Sequence, residues 1–301
     1  MLKPDDALDS ENVDNGQPVG RLSTAHTREI GEELRRIRQC CGIKGTAICR
    51  EVGWSPAKLS KLESGDRGAG EADVATLLGF YRVAKDTRNR ILGMVTEPDL
   101  GYFMRMHDDS PDDVLCARMH EARARTITGY EPLLVPSLLQ SKAYAEALFG
   151  HVIGGQEQLV ARLGSRVDRQ AVLERESPPE SEFYVHEAAL SLVVGDTAVM
   201  HDQCMRLGFM ARRPRLSLRV VPMSTGHAAL RHSVTLLTFA EPLRPLACGE
   251  TDTATVFFDE DTAIAAVRRK FTALDVLALS HERSEALVLH WAGVHDVAGT
   301  R

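Results

Sequence analysis

Apolar positions recur at helical spacing through the first third of the chain, then give way to a mixture of periods. In "TREIGEELRRIRQCCG" (27–42), Ile30, Leu34, Ile37 and Cys41 fall on one stripe, which predicts a helix with Thr27 as N-cap and Gly42 as its stop. "TAICREVG" predicts a second, short helix with Ala47, Ile48 and Val52 inward and Gly53 ending it. In "GWSPAKLSKLESGDRG" (53–68), Ser55 suits an N-cap, Pro56 the first helical position, and Leu59 and Leu62 the buried edge. Two more helical runs, at about 71–82 and 86–95, complete a five-helix unit. "TEPDLGYFMRMHDDSPDD" breaks the period and reads as a linker.

Beyond about residue 112 the pattern alternates between types. Helical runs are predicted at about 112–127, 137–149, 156–174, 196–211, 260–279 and 282–291, and strands at "EFYVHE", "LSLRVVP", "VTLLTF" and "ATVFFD". The fold class is therefore α+β: a five-helix domain at 28–95, a linker at 96–111 and a larger mixed domain at 112–293. A disordered tail is expected at 1–27 and a flexible one at 294–301.

Charge sharpens this division. The 301 residues carry a net charge of −6, but residues 21–95 hold 14 Lys and Arg against 9 Asp and Glu, a net of +5 that leaves −11 for the rest. A basic first module on an acidic remainder points to a polyanion partner. No apolar run approaches the ~20 residues of a membrane helix, and the polar start carries no secretory signal. The six cysteines, at 40, 41, 49, 116, 204 and 248, form neither CxxC pairs nor a dense framework. A cytoplasmic, nucleoid-associated protein with reduced thiols is expected.

The two short helices joined through "GWS" make a helix-turn-helix. On a helix starting at Pro56, Ala57, Lys58, Ser60 and Lys61 fall on the outer face or near the N-terminal tip, where backbone N–H groups and the helix dipole favour phosphate. Small residues for close approach, with hydroxyl and lysine groups for base edges, suit a recognition helix in the major groove. Lys58 and Lys61 are the expected basic contacts, Ser55, Ala57 and Ser60 the expected neighbours of base edges or phosphates, and Arg67 a phosphate contact from the following loop.

Residues 28–95 resemble the lambda-repressor-like, xenobiotic-response-element-type helix-turn-helix domain, through "LRRIRQCCGI" and "GWSPAKLSKLESG". The second half resembles the C-terminal domain joined to this module in actinobacterial regulators, through "GYEPLLVPSLLQSKAYAEAL", "RQAVLERESPP", "LSLRVVP" and "FTALDVLALSHERSEALV". The resemblance implies a transcriptional regulator of development or secondary metabolism that binds double-stranded DNA, with a C-terminal domain for dimerisation and for partner or ligand input. It also implies an alternative: an antitoxin-like protein whose main role is to bind a small acidic protein encoded nearby. Where the family has a glutamine that clamps phosphate at the start of the second helix, this chain has Gly45, with Lys44 as the substitute. The resemblance further implies an ion pair between Arg38 and Glu63, tying the recognition helix to its scaffold.

Other stretches suggest competing chemistry. His201 and Cys204 in "HDQC" make half a zinc site without a second half. Asp259, Glu260 and Asp261 read as an acidic helix N-terminus rather than a catalytic cluster. Cys41 on the apolar stripe argues for a buried, inert thiol rather than a redox sensor at Cys40–Cys41. His227 and His232 bracket a loop that would suit an effector. GxSxG, P-loop, GxGxxG and HExxH motifs are absent from the sequence, so no enzyme, metal or cofactor is expected. Because one recognition helix reads too few base pairs to single out a genomic site, a homodimer is expected, its interface beyond residue 112.

Overall fold

The structure is a computed structural model that describes residues 23–66, 68–107, 115–150 and 155–299. Five helices come first: α1 (Ala25–Cys40), α2 (Gly45–Val52), α3 (Pro56–Ser64), α4 (Glu71–Tyr81) and α5 (Lys85–Thr96). Ile30, Leu34, Ile48, Leu59, Leu62, Leu77 and Ile91 close one core among them. That core is the periodic stripe of the sequence, converted into burial.

Then follow β1 (Tyr102–Met106), α6 (Leu115–Arg123), β2 (Thr126–Glu131), α7 (Lys142–Phe149), α8 (Gln156–Gln170), β3 (Glu180–His186), α9 (Ala188–Ser191) and α10 (Thr197–Met210). The chain ends with β4 (Leu216–Val221), β5 (Val234–Thr238), β6 (Leu246–Glu250), β7 (Ala254–Phe258), α11 (Asp261–Leu277) and α12 (His281–Gly299). The strands form one seven-stranded sheet in the order β1-β7-β6-β5-β2-β3-β4. β2, β3 and β4 run parallel through helical crossovers, and the other pairings are antiparallel. Strand alternation divides the sheet between two cores. Phe183 and Val185 of β3 face the core shared with α10 and α12, whereas Tyr184 faces the core shared with α11.

Several expectations change. The N-cap of α1 is Thr24, not Thr27; Thr24 accepts the Thr27 N–H at 3.2 Å and Thr27 accepts the Thr24 N–H at 2.9 Å. Asp259, 234 residues away in sequence, accepts the Ala25 N–H at 2.8 Å, a support that no local pattern reveals. Thr24 therefore caps α1 and residues 25–27 belong to it; residues 1–22 of the expected tail lie outside the described residues. The expected linker contains β1, because Phe103 stacks on Phe257 at 4.9 Å and Arg105 meets Glu29. The helical run expected to reach 127 ends at Arg123 and gives way to β2, and β6, "LACGE", had no visible alternation. Residues 294–299 are the last turns of α12, held by buried His295, whose Nε2 is 2.8 Å from the Leu190 carbonyl oxygen. Cys41 is exposed, as is Cys40: the stripe of α1 has turned outward by its last turn.

Candidate nucleic-acid interface

The helix-turn-helix is built by glycine. Gly53 caps α2 in the left-handed region at φ 67°, which turns the chain so that Trp54 and Ser55 lead straight into α3. Ser55 caps α3 by accepting the Lys58 N–H at 3.1 Å, and Pro56 occupies the first turn. Gly65 ends α3 at φ 69°, and a Cβ there would lie 2.4 Å from the Arg28 Cα. A Cβ on Gly31 would likewise lie 2.6 Å from the Leu62 carbonyl oxygen. Backbone thus approaches backbone between α1 and α3, which fixes the angle at which α3 is presented.

Arg38 and Glu63 meet in a bidentate pair, Nε–Oε1 at 2.6 Å and Nη2–Oε2 at 2.8 Å. Arg38 also donates to the Ile43 carbonyl at 3.1 Å, so one guanidinium ties α1, α3 and the turn before α2 together. The hydrogen bond to Glu63 raises the Arg38 pKa further. At the far end of α3, Arg123 of α6 donates to the Ser64 carbonyl at 3.0 Å, and the Thr27 hydroxyl lies 3.1 Å from the Gly65 carbonyl oxygen. Arg123 was invisible to sequence reasoning, since its target lies 59 residues away.

The outer face of α3 is open. Ser55, Ala57, Ser60 and Lys61 are exposed, and among the described residues the Lys61 ammonium has no ion-pair partner. Lys44 is exposed at the N-cap of α2, without a side-chain cap of its own. Gly45 follows it, and a Cβ at that position would sit 3.2 Å from the Leu59 side chain. The small residue at this position thus goes with a close contact between α2 and α3. Arg67 lies outside the described residues.

Lys58, an expected basic contact, is paired within the protein. Its Nζ is 2.7 Å from Asp73 Oδ1 of α4 and 4.0 Å from the centroid of the Trp54 ring. It is half-buried and paired, whereas Lys61 one turn on is not. Trp54 was legible as a turn residue; its role under Lys58 was not, because that needs Asp73, 15 residues away.

The remaining candidates settle into structural roles. Glu260 is the N-cap of α11, accepting the Ala263 N–H, and Asp261 begins its first turn. Asp259 departs from the acidic-terminus expectation by accepting the first N–H of α1 instead. His201 Nδ1 lies 3.0 Å from the Ala292 carbonyl oxygen and Cys204 is fully buried. His227 caps a short 3-10 turn at Ala228–Leu230. Among the described residues no three His, Cys, Asp or Glu side chains form a group that would hold a metal ion, and no helix is long and apolar enough to cross a membrane.

Two family comparisons match this architecture. Residues 29–91 match a helix-turn-helix domain family. Residues 117–290 match the family described as Domain of unknown function (DUF5753), which spans more than half the chain. The chain belongs to that family. No curated protein matches it. The five helices thus carry a helix-turn-helix domain, and the α/β domain that follows is the DUF5753 unit.

Proposed function

We propose that this DUF5753 protein is a sequence-specific transcriptional regulator of the xenobiotic-response-element type. The observation that carries the reading is the exposed tip of α3: Ser55, Ala57, Ser60 and Lys61, which has no ion-pair partner among the described residues, on a helix locked at a fixed angle by Arg38 and Glu63. Ala57 and Ser60 permit close approach of α3 to the floor of a major groove, and Lys61 supplies a donor for a guanine edge. The starts of α2 and α3 offer backbone N–H groups to flanking phosphates, with Lys44 beside the first. Lys58 serves as a brace between Trp54 and Asp73 rather than as a principal contact.

In this reading the protein acts as a homodimer in the cytoplasm and catalyses nothing; its output is occupancy of DNA. Signal input enters through the DUF5753 unit. A cleft of about 440 Å³ lies between α1 and helices α6 and α8, lined by Glu29, Arg36, Met119 and Asp168. A ligand seated there would press directly on the helix that holds α3, and its volume falls in the range of small-molecule sites.

The test is gel shift of the full chain on DNA from upstream of its own gene and on random duplex, followed by Lys61→Ala. Lys61→Ala should weaken binding to the specific duplex by about 1–3 kcal/mol and relax preference at one base pair. Equal binding to both duplexes by the unmodified chain would end the reading.

A further inference from the structure

β1 is an edge strand whose outer side is prepared for another strand. In its pairing with β7, His107 N–H donates to the Thr253 carbonyl at 2.8 Å and Asp259 N–H to the Gly101 carbonyl at 3.0 Å. The odd-numbered residues therefore bond inward, and the N–H and C=O groups of Tyr102, Met104 and Met106 point away from the sheet, where the Met104 carbonyl accepts Arg105 Nη1 at 2.9 Å and keeps its second lone pair for another donor. Among the described residues no strand pairs with that outer side. The side chains of these same residues are also uncovered: Leu100, Tyr102, Met104 and Met106 are 57%, 52%, 51% and 57% exposed. Alternate apolar side chains on an open backbone edge are what folded proteins normally blunt with lysine, proline or a covering segment. No lysine or proline stands at these positions.

We propose that a second copy of this chain pairs with β1 in antiparallel register about a two-fold axis at Met104. The strand is self-complementary in that register. Met104 opposes Met104, Tyr102 opposes Met106, and on the other face Phe103 opposes Arg105, so no like charges meet. The pairing also fits the backbone pattern, because the residues that oppose one another are those whose N–H and C=O groups face outward, with the Met104 carbonyl accepting the facing Met104 N–H beside Arg105 Nη1. Val256 and Phe258, which pair with Met104 and Tyr102 on β7 and are half-buried, extend the apolar strip inward. The product is one sheet running through both copies. Arg105 holds Glu29 and Phe103 contacts His26, so α1 of each copy flanks the axis and the two DNA-facing modules are set as a symmetric pair. This places the interface just before residue 112, where the sequence alone expects it beyond.

The proposal rests on the homodimer of the regulatory reading and names its interface; its readout contains no DNA, so a failure of DNA binding leaves it standing, and a dimer built on another surface overturns it while leaving the regulatory reading intact. Sedimentation velocity of the full chain at micromolar concentration should show a dimer. Met104→Lys sets two ammonium groups opposite each other on the axis and should raise the dimer dissociation constant by about tenfold or more. An edge lysine is compatible with folding, which circular dichroism and the melting temperature check. Val276→Lys, on an 81% exposed position of α11, should leave the dimer unchanged. In a Cys40→Ser, Cys41→Ser background, Met104→Cys should cross-link to a disulfide dimer on mild oxidation and Met106→Cys should not. Opposed residues of a bonded antiparallel pair lie about 5.5 Å apart at Cα, within disulfide reach. A monomeric wild type, a Met104→Lys dimer as tight as wild type, or equal cross-linking at both positions would overturn the proposal.

Discussion

The seam between α1 and the sheet domain and the tip of α3 both concentrate charge, and they treat it in opposite ways. At the seam most charges are buried or half-buried, and most are matched. Glu29 takes both Nε and Nη2 of Arg105 at 2.5–3.0 Å, Glu97 takes the third nitrogen at 3.0 Å, and Asp259 accepts the α1 N-terminus. Arg28 is fully buried over the Phe239 ring, 4.8 Å from its centroid, with burial lowering its pKa to about 10. At the tip, Lys44 and Lys61 stand in water. The difference separates two tasks. Charges that fix an orientation are desolvated and paired, so that their geometry is specific. Charges that attract a polyanion are left open, so that a phosphate or base edge can complete them.

Breaking the matched set should have the largest effect. Glu63 is 4% exposed and Glu29 6%, so Glu63→Ala strips Arg38 of its carboxylate and Glu29→Ala leaves Arg105 with the exposed Glu97 alone. Each should destabilise the fold by about 3–5 kcal/mol, read by urea or thermal unfolding. Glu63→Ala should in addition loosen α3 against α1, since Arg38 loses both bonds at once. A loss below about 1 kcal/mol in both variants would mean that the seam and frame are ordinary surface pairs.

His120 sharpens the seam further. It is fully buried beside Phe239 and Phe257, and neither ring nitrogen has a hydrogen-bond partner among the described residues. Burial, with Arg28 and Arg123 nearby, holds its pKa well below 6.5. The folded protein therefore keeps it neutral, while the unfolded chain takes up a proton below about pH 6.5. Stability should fall as pH drops through that value, by about 1.4 kcal/mol per pH unit from this group. His26, lowered by burial and by Arg105, acts in the same direction. Glu131, raised by burial to about 8, acts oppositely: its contribution is present at low pH and lost as pH rises toward 8. His120→Leu should remove one proton's share of the acid slope between pH 7.5 and 5.5. An unchanged slope would show that His120 does not titrate on unfolding.

How much of this was legible depends on the distance between partners. Within the helix-turn-helix, contacts are local or periodic: Ser55 caps Lys58 three residues on, and Ile30, Leu34 and Ile37 follow from spacing. Arg38 and Glu63, 25 residues apart, were reached only through resemblance. The seam was illegible, because Asp259 and Ala25 or Arg105 and Glu29 signal nothing in their own neighbourhoods. β1 hid in a stretch that polar turn residues made look like a linker, and β6 is too short and small-residued to show a period. Lys58 and Lys61 look equivalent in sequence, and only the position of α4 distinguishes them.

That last distinction gives the smallest expected effect and the finest test. Asp73 and Lys58 are each a little over one-third exposed in their side chains, so the pair contributes at most about 1 kcal/mol to folding. Asp73→Asn should leave the melting temperature nearly unchanged while releasing the Lys58 ammonium from its counter-charge. Trp54 still holds the lysine over its ring at the base of α3, close to where the DNA backbone would pass. The variant should therefore bind all duplexes somewhat more tightly, with the slope of log K against log salt steeper by about one phosphate contact. Specificity should not improve, since a phosphate contact carries no sequence information. If Asp73→Asn instead narrows base preference, Lys58 reaches a base edge and the two lysines of α3 share the readout. An unchanged salt slope would show that Lys58 stays on Trp54 with or without Asp73.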